Sequence, residues 1–429
     1  MDHDPTQPCH CQRHLCGGRQ SRGPRGPSPL LGEFLHRRAR RGNHCTHGFG
    51  NRRRDLRRHR SFLRRDGTPR VALPPRSPHR CLSRIVGTVN FFLPAEWEPQ
   101  RAIWFTWPQN ADTWTPVWPD AKATYEKVIA ASLRFQDVVL LASTSELQTE
   151  LLKRFESIAA HSKYRLDILV CPTNDSWIRD YGGMTVRAVD AQGSAKQTLL
   201  SFQFNSWGGK YPPWDADNAV PGFMARHRGY EIVEIPFVLE GGSIDANGEG
   251  LLLTTRSCLL NPNRNPGKTQ KEIEETVSRY LGLKEILWLD SGIDGDDTDG
   301  HVDDLARFVN ARTVFCAVEM DAKDENYAAL RRNVSELEAY AQHLGLEVVE
   351  VPMPGRQIRA GLRTPATYMN FLILNGAVLV PVFQDPRDDV TLALFARFFP
   401  VREIVPIDCR ALVYGQGAIH CSSMQEALV

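Results

Sequence analysis

Two short segments of the 429-residue chain carry residues whose types and spacing suggest covalent chemistry. In the first, Cys421 directly follows His420 at the end of the run Gly415-Gln-Gly-Ala-Ile-His-Cys421. A thiol must ionise before it attacks a substrate, and a glycine turn with a neighbouring cation favours the thiolate. We therefore predict that Cys421 is a nucleophile presented from a tight loop.

The second segment, Thr298-Asp-Gly-His-Val-Asp303, holds a histidine and a carboxylate two residues apart. Side chains of an extended segment alternate between its two faces, so His301 and Asp303 would point the same way if this segment were a strand. A histidine can move a proton near neutral pH, and a carboxylate can bind a cation. We predict that this pair works together with Cys421.

Two further carboxylates occupy positions that favour contact with a ligand. Asp180 follows Trp177 by three residues, and an indole beside a carboxylate is a common way to hold a planar cation. Glu240 stands where an apolar run at 235–239 meets two glycines, which leave its side chain accessible. Taken with the first two segments, these residues predict a cysteine enzyme that binds a cation between carboxylates.

The acidic run at residues 294–304 suggests a metal site as an alternative. Carboxylates suit calcium, but with Gly300 in the glycine position of an EF-hand loop, position one would be Gly295 and position twelve Ala306. The His-x-His and His-Glu-x-x-His patterns of hydrolytic zinc sites do not occur in the sequence. A divalent-metal hydrolase therefore stays as an alternative that inactivation by chelators would support.

The net charge of +2 averages two unlike parts of the chain. Residues 1–88 hold 20 arginines, no lysine and five acidic residues, a net charge of +15, whereas the remainder holds 32 basic and 45 acidic residues, a net charge of −13. An acidic body attracts small cations rather than nucleic acid. The tail is expected to be a disordered extension or sequence translated from upstream of the true start, with a nucleic-acid-binding arm or a targeting peptide as alternatives.

Cysteine usage indicates a reducing compartment. Five cysteines lie in the tail, and the other five are scattered singly through the body, which is not the pattern of a disulfide framework. We expect a cytoplasmic protein, with no membrane span because no run of 18 or more apolar residues occurs. Cys171, Cys258, Cys316 and Cys409 have no histidine close by in the sequence and are interpreted as small buried core residues.

Short apolar runs alternate with amphipathic stretches from residue 90 onward. The runs predict strands at 138–142, 166–170, 251–255, 285–289, 313–318, 346–351, 371–374, 378–382 and 403–407. The amphipathic stretches predict helices at 121–135, 145–159, 269–281, 325–343 and 390–398. Asp120 and Thr144 are predicted to cap the first two helices, and Gly282 to end the third. Because no linker divides these elements, residues 89–429 are predicted to form a single α/β domain.

Nine short segments of the body resemble the agmatine deiminase family, which is related to the bacterial peptidylarginine deiminases within the guanidine-modifying superfamily. They are Pro94-Ala-Glu-Trp-Glu-Pro99, Asn174-Asp-Ser-Trp-Ile-Arg-Asp180, Phe204-Asn-Ser-Trp-Gly-Gly209, Trp214-Asp-Ala-Asp-Asn218, Glu240-Gly-Gly-Ser243, Leu260-Asn-Pro-Asn-Arg-Asn-Pro266, Thr298-Asp-Gly-His-Val-Asp303, Pro365-Ala-Thr-Tyr-Met-Asn370 and the Gly-x-Gly-x-x-His-Cys run that ends at Cys421. They follow the family order over nearly the whole body. The resemblance implies a pentein fold, an α/β propeller with five-fold pseudosymmetry and the active site in its central channel.

The resemblance also implies a role for each candidate residue. Cys421 would be the nucleophile and His301 the general acid and base. Asp180 and Asp303 would bind the guanidinium nitrogens, and Glu240 would be a further catalytic carboxylate. The implied reaction is hydrolysis of agmatine to N-carbamoylputrescine and ammonia through a covalent thiouronium on the cysteine, with no metal and no organic cofactor.

Substrate choice depends on residues around that centre. Asp297 lies where similar enzymes carry an acid for the amine end of agmatine, and Asp175, Trp177, Trp207 and Asp217 are further candidates for the pocket wall. The alternative is a peptidylarginine or free-arginine deiminase that releases citrulline and ammonia. Such an enzyme would need an anchor for a carboxylate or peptide group, for which Arg256, Arg264 and Arg359 are candidates.

The expected partner is a small cationic guanidine substrate, with neither nucleic acid nor a membrane as a partner. Family members are often dimers or larger, so the resemblance allows a homodimer or a larger homo-oligomer.

Overall fold

The computed structural model describes residues 89–359 and 361–428. The predicted tail, residues 1–88, lies outside this described part of the chain, so the expectations for the tail stay predictions. The described residues form an α/β structure in which strands and helices interleave along the chain, as the sequence pattern predicts.

The helices fall into three groups by length and type. The long helices are Trp118–Ser132, Ser145–His161, Val220–Arg228, Gln270–Leu281, Asn326–Leu344 and Asp388–Phe398. The four-residue helical segments are Ala111–Trp114, Ile178–Tyr181, Ser206–Gly209, Asp215–Asn218 and Arg256–Leu259. The 3₁₀ turns are Gly241–Ser243, Val302–Asp304 and Leu412–Gly415.

Five sheets of the described residues repeat one pattern. In each sheet a first strand pairs antiparallel with a second, the second pairs parallel with a third, and a long helix connects the second to the third. We call these sheets modules one to five. Their three strands are Met184–Val189, Ala195–Gln203 and Glu231–Val238; Ile244–Ala246, Leu251–Thr255 and Glu285–Leu289; Ala306–Asn310, Thr313–Val318 and Glu347–Pro352; Leu372–Ile373, Ala377–Val382 and Glu403–Asp408; and Ser423–Ala427, Gln100–Thr106 and Asp137–Ala142.

Module five joins the two ends of the described chain, because its first strand lies at residues 423–427 and its second at 100–106. The remaining strands extend this framework. Asn90–Phe92 pairs with the first strand of module one, Leu166–Val170 adds to module five, and Ile358–Arg359 pairs with Leu362–Arg363 in a separate hairpin.

The connecting helices are held to the sheets by one apolar face. Gln270–Leu281 buries Ile273, Val277 and Leu281, which recur every four residues and so share one side of the helix. Its start is stabilised by a capping box in which Thr269 and Glu272 exchange side-chain and backbone hydrogen bonds. It ends at Gly282, whose φ of +72° is accessible to glycine at little cost. The prediction of this helix and its cap is confirmed.

The central strands are apolar on both faces because the sheets are covered on both sides. All six residues of Thr313–Val318 are buried, and the same holds for five of six in Ala377–Val382. This is the burial expected where parallel strands carry crossover helices. The short apolar runs of the sequence therefore mark these strands well.

Some predicted elements differ from the structure. The first predicted helix begins three residues early, at Trp118, so Val117 is its N-cap and Asp120 lies in its first turn. Thr144 does cap the second helix, accepting a hydrogen bond from the Leu147 amide. Strands with polar or mixed patterns were missed: Gln100–Thr106, Met184–Val189, Ala195–Gln203 and Ser423–Ala427.

In the part of the chain that the structure describes, no helix is both long enough and apolar enough to cross a bilayer. The five cysteines of this part are free thiols, and all five are buried.

Candidate active site

Each of the five modules contributes one polar side chain from a position two to four residues before its first strand. In module order these are Asp180, Glu240, Asp303, Asn370 and Cys421, ahead of strands that begin at Met184, Ile244, Ala306, Leu372 and Ser423. Because the modules share one topology, equivalent positions bring these side chains to the same place. The sequence prediction named four of the five.

Cys421 lies in the turn between the 3₁₀ segment Leu412–Gly415 and the strand Ser423–Ala427, as predicted for a nucleophile on a tight loop. Its side chain is 6% exposed. The Asn370 side-chain amide donates from Nδ2 to Cys421 Sγ at 3.0 Å, and its Oδ1 accepts from the Cys421 backbone amide at 3.2 Å. Asn370 therefore holds both the thiol and its backbone. Sγ also lies 3.6 Å from Asp303 Oδ2.

Close packing requires a glycine at position 417, four residues before Cys421. A Cβ on Gly417 would lie 2.7 Å from the Trp177 ring and 3.0 Å from Cys421 Cβ. The Trp177 ring also contacts Trp114, with ring centroids 5.3 Å apart. These contacts place Trp177, a predicted pocket-wall residue, beneath the nucleophile loop.

His301 and Asp303 come together with the other site residues, but not for the reason that the sequence suggested. The segment Val302–Asp304 is a 3₁₀ turn, with His301 as its N-cap, and not a strand. The prediction of an extended segment is therefore wrong. Glycine at 300, with φ of +101°, lets the chain turn into this 3₁₀ segment.

Asp180 is held on two sides. The Trp207 indole N–H donates to Asp180 Oδ2 at 2.9 Å, and the Gly242 amide donates to Oδ1 at 2.9 Å. Trp207 adopts φ of +54°, unusual for a bulky residue, which turns its ring toward the carboxylate. Among the predicted wall residues, Trp207 thus bonds the Asp180 carboxylate through its side chain, whereas the Trp177 carbonyl accepts from the Asp180 backbone amide.

Gly242 lies where residues of modules one, two and three come together. A Cβ at this position would lie 2.5 Å from His301 Nδ1, 2.9 Å from Asp180 Oδ1 and 3.2 Å from Asp303 Oδ2. The close approach of an imidazole and two carboxylates leaves room only for glycine. The two glycines after Glu240 were used in the sequence analysis to predict its accessibility. The second of them, Gly242, also leaves room for the His301 ring and the two carboxylates.

Glu240 faces His301 from the opposite side. His301 Nε2 lies 3.6 Å from Glu240 Oε2, and His301 Nδ1 lies 3.7 Å from Asp180 Oδ1. Both Glu240 oxygens accept from Arg264 Nε, at 2.9 and 3.1 Å. Cys258 Sγ lies 3.8 Å from Glu240 Oε2, close to His301 as well. The prediction that Cys258 is buried is confirmed, but the fold brings it beside His301, which is not its neighbour in the sequence.

The buried charges shift the protonation of the central groups. Burial raises the pKa of the Cys421 thiol well above its ordinary value, and the negative charges of Asp303 and Asp180 raise it further. The free thiol is therefore the resting state. Burial alone would lower the pKa of His301, but Asp180 and Glu240 raise it well above the ordinary value, so this ring is an imidazolium.

The two carboxylates beside His301 differ in their pKa. Burial raises the pKa of Asp180 to about 6, although the charge of His301 opposes this shift. Burial also acts on Glu240, but hydrogen bonds and charges from His301 and Arg264 lower its pKa below the ordinary value. Glu240 is thus a fixed anion, and Asp180 is one whose charge can respond to a ligand.

Two predicted wall residues lie farther out. Asp297 accepts a hydrogen bond from the Tyr211 hydroxyl, and its backbone carbonyl accepts from Lys210. Tyr211 packs edge-on against the Trp207 ring at 5.8 Å, which connects Asp297 to the Asp180 side of the site. Asp175 accepts from the Ser176 amide at 2.8 Å, and its carbonyl accepts from the Tyr181 hydroxyl.

Two groups of buried side chains in the described residues have the atom types that metals bind. Within each group, Glu240 with Cys258 and His301, or Asp303 with Asp304 and Cys421, the ligand atoms lie within 4.8 Å of one another. In the first group Arg264 already occupies both Glu240 oxygens. In the second, burial and the charge of Asp303 raise the pKa of Asp304 well above its ordinary value, which keeps it a neutral acid. Neither donor set is therefore suited to a metal ion.

Three residues that build the site, Glu96, Arg179 and Asn370, received no role from the sequence, although each lies inside a segment quoted for the family resemblance. Gly242, Arg264 and His420 were noted only as a flanking glycine, a candidate anchor for a carboxylate and the neighbour of Cys421. Their segments signalled importance, but no local spacing rule connects positions so far apart in the chain.

Five repeated α/β modules with a thiol, an imidazolium and opposed carboxylates at their shared centre define a pentein-type cysteine hydrolase. The sequence pattern of the Porphyromonas-type peptidyl-arginine deiminases matches residues 92–427. The chain belongs to this family.

Curated and solved proteins agree with this membership. Agmatine deiminase from Pseudomonas aeruginosa strain LESB58 is 35% identical over 372 residues, covering 79% of this chain and 95% of the relative. A cysteine-to-serine variant of C. jejuni agmatine deiminase, solved with substrate bound, is 31% identical with a TM-score of 0.72, covering 79% of this chain and 97% of that one. Agmatine deiminase of Enterococcus faecalis is 30% identical with a TM-score of 0.71, covering 80% and 98%.

Proposed function

We propose that this protein is an agmatine deiminase that hydrolyses the guanidinium of agmatine to N-carbamoylputrescine and ammonia, through a covalent intermediate on Cys421. The observation that carries the proposal is the convergence of Asp180, Asp303 and His301 around Gly242, with Asp303 also beside the Cys421 thiol. Several relatives that match this chain over nearly their whole length are agmatine deiminases.

The carboxylates of Asp180 and Asp303 suit a guanidinium because they lie on either side of the same small space. Each can accept charge-assisted hydrogen bonds from the planar cation, which fixes the orientation of its central carbon. Both carboxylates are at least 96% buried, so water does not compete for these bonds. The cation thereby reaches the centre in one orientation, toward Sγ of Cys421.

Binding of the cation prepares the nucleophile. The negative charges of Asp303 and Asp180 raise the pKa of Cys421 in the free protein. A bound guanidinium offsets these charges and adds its own positive charge beside Sγ, so the pKa of the thiol falls. The Asn370 amide, which donates to Sγ, stabilises the thiolate that results. The substrate thus promotes the ionisation that its own reaction needs.

The covalent steps follow from the protonation states. The Cys421 thiolate forms a C–S bond to the guanidinium carbon, which gives a tetrahedral adduct. The His301 imidazolium gives its proton to the departing nitrogen, and the C–N bond breaks. Ammonia departs, and a thiouronium remains bound to Cys421. Neutral His301 then takes a proton from water, whose oxygen attacks the same carbon, and the C–S bond breaks to release the ureido product. General acid–base catalysis of this kind typically contributes ~10²–10⁴-fold.

The far end of agmatine is a second cation, and acidic residues near the centre suit it. The Asp297 carboxylate accepts from Tyr211, next to the Trp207 ring. Arginine would need a cationic anchor instead. Of the three arginines considered, Arg264 is paired with Glu240, and Arg256 with Glu336 at 2.9 Å. Two of the three candidate anchors are therefore already paired with carboxylates, which favours the amine of agmatine over the carboxylate of arginine.

The direct test measures ammonia and the ureido product with agmatine, free arginine and an arginyl peptide side by side, with and without EDTA. We expect turnover of agmatine that is indifferent to the chelator. Preference for arginine or the peptide would keep the cysteine chemistry and contradict the assigned substrate, whereas loss of activity in EDTA would favour the metal alternative. The cytoplasmic location and the homo-oligomeric state stay predictions.

A further inference from the structure

His420, the residue before the nucleophile, lies between two carboxylates and is fully buried. Its Nδ1 is 2.7 Å from Asp303 Oδ2, and its Nε2 is 2.7 Å from Glu96 Oε1. An ionised carboxylate only accepts hydrogen bonds, so a ring that bonds two of them must donate from both nitrogens. His420 is therefore placed to donate one hydrogen bond to each of the two carboxylates.

Glu96 is held in turn by two arginines. Arg179 Nη1 donates to Glu96 Oε1 at 3.1 Å, and Arg307 Nη2 donates to Oε2 at 2.6 Å. Arg307 is fully buried and Arg179 is 3% exposed, so these ion pairs are shielded from water. The side chains form a row of alternating charge that runs from the arginines through Glu96 and His420 to Asp303.

The row ends at the carboxylate proposed to bind the guanidinium. Asp303 Oδ2 accepts from His420, while within the described residues Asp303 Oδ1 has no hydrogen-bond partner although it is buried. Burial raises the pKa of Asp303, but the hydrogen bond and charge of His420, followed by His301 and Arg307, lower it below the ordinary value. His420 thus keeps this buried acid ionised and leaves one oxygen for a ligand.

We propose that His420, supported by Glu96, is a positioning residue that binds Asp303 from behind so that its free oxygen meets the guanidinium. This inference rests on the proposed function, because it concerns how that function holds its substrate. His420 itself need not touch the substrate or the reacting atoms.

The test compares two alkylating reagents that both react with the Cys421 thiol. Chloroacetamidine carries a cationic amidinium that the site carboxylates can bind, whereas iodoacetamide is neutral. The ratio of their second-order inactivation rate constants reports cation binding, since changes in thiol reactivity or accessibility affect both reagents. The measurement needs no turnover, so its failure is distinct from a failure of wild-type protein to hydrolyse agmatine.

In the full chain, His420→Gln should lower the amidine-to-amide ratio by about tenfold or more and raise the KM for agmatine by a similar factor, the effect of losing a hydrogen bond to a charged group. Glu96→Gln, which keeps the shape of the side chain but removes its charge, should lower the ratio in the same direction by less. His343→Gln is the matched control, because His343 pairs with Glu285 at 3.2 Å on the surface, and it should leave the ratio unchanged.

An amidine-to-amide ratio that is unchanged or increased in folded His420→Gln would overturn the proposal. That outcome would mean that His420 only packs beside the loop or only repels the cation. If His420→Gln does not fold, the same ratio in Glu96→Gln decides, and an unchanged or increased value there overturns the proposal as well.

Discussion

At the scale of single residues, the reactivity of Cys421 depends on the charges buried around it. The negative charges of Asp303 and Asp180 keep its thiol protonated until a cation arrives, and Asn370 supplies a side-chain hydrogen bond that favours the thiolate. A thiol that ionises only beside its substrate is protected from unrelated electrophiles. The same charges that bind the cation therefore also control the nucleophile.

Replacing Cys421 by alanine should abolish turnover, with a loss of at least about a thousandfold, because no other group can form the covalent bond. The fold should persist, since the side chain is small and Asn370 still holds the backbone amide. Steady-state kinetics and a thermal melt measure the two effects. Cys409→Ala, at a buried cysteine outside the site, is the control and should retain activity. Substantial residual turnover in Cys421→Ala would falsify the assigned nucleophile.

The pH dependence of kcat/KM should report Asp180. This carboxylate must be ionised to bind the guanidinium, and because its pKa is about 6 in the free protein, kcat/KM should fall as the pH drops below about 6. The Trp207 N–H stabilises the ionised form through its hydrogen bond. Trp207→Phe should therefore raise the pKa of Asp180 and move the acid limb to higher pH by about one unit.

The matched control for this measurement is Trp288→Phe. The Trp288 indole also donates to a carboxylate, Glu274 at 2.9 Å, but in a helix–sheet contact of module two. The acid limb of the kcat/KM profile of Trp288→Phe should coincide with that of the wild type. An acid limb that stays in place, or moves to lower pH, in Trp207→Phe would show that another group controls it.

At the scale of elements, short turns ahead of the first strands of the modules position the chemistry. The turns Gly241–Ser243 and Val302–Asp304 are 3₁₀ segments, and Ile178–Tyr181 is a single helical turn. Each ends with at most two residues between it and the first strand of its module, so the rigid sheet holds the turn and the turn orients the side chain. Helices such as Gln270–Leu281 contribute by packing on the sheets from outside.

The substitution Gly242→Ala tests this element-level packing. Its Cβ would lie 2.5 Å from His301 Nδ1 and 2.9 Å from Asp180 Oδ1, so one of these groups must move. A displacement of about 1 Å in a catalytic group can cost roughly a hundredfold in rate, which is the loss of kcat/KM that we expect.

Gly222→Ala is the control for that substitution. Gly222 lies in the helix Val220–Arg228, and its added Cβ would approach only the flexible end of Arg226, at 3.3 Å. Activity should be unchanged and the melting temperature equal or slightly higher, because alanine favours a helix over glycine by about 1 kcal/mol. Wild-type activity in Gly242→Ala would mean that the site tolerates a rearrangement that its packing argues against.

At the scale of the whole molecule, closure of the ring of modules depends on the end of the chain. The strand Ser423–Ala427 immediately follows the nucleophile and pairs with Gln100–Thr106, more than 300 residues earlier in the sequence. Cys421 is therefore placed by the same pairing that completes module five. A site assembled from five modules exists only after all of them have come together.

The catalytic body should function without the basic tail. We expect residues 89–429, expressed alone, to fold and to show the kcat/KM of the full chain toward agmatine, because every residue assigned to the site lies in this part. Kinetics of the two proteins, measured in parallel at several salt concentrations, make the comparison. Loss of activity or folding in the shorter protein would contradict the prediction of a self-sufficient domain.

The sequence by itself determined the chemistry of this protein. The residue types at Cys421, His301, Asp180, Asp303 and Glu240 are local properties of short segments, and so are hydrophobic periods and caps such as Thr269 and Gly282. Fully apolar strands were predicted well because burial on both faces leaves a continuous signal. Strands of mixed composition, such as Ser423–Ala427, were missed because their pairing partners, not their own pattern, make them strands.

Only the tertiary structure decided how these residues meet. It replaced the predicted strand at His301 with a 3₁₀ turn, brought Cys258 beside that histidine, and placed His420 between Glu96 and Asp303. Such contacts join residues up to 324 positions apart, which no local spacing encodes. The pKa values also depend on this assembly, because burial and nearby charge act through space. The short segments determine which reactive side chains are present, and the packing of the five modules determines how those side chains are arranged.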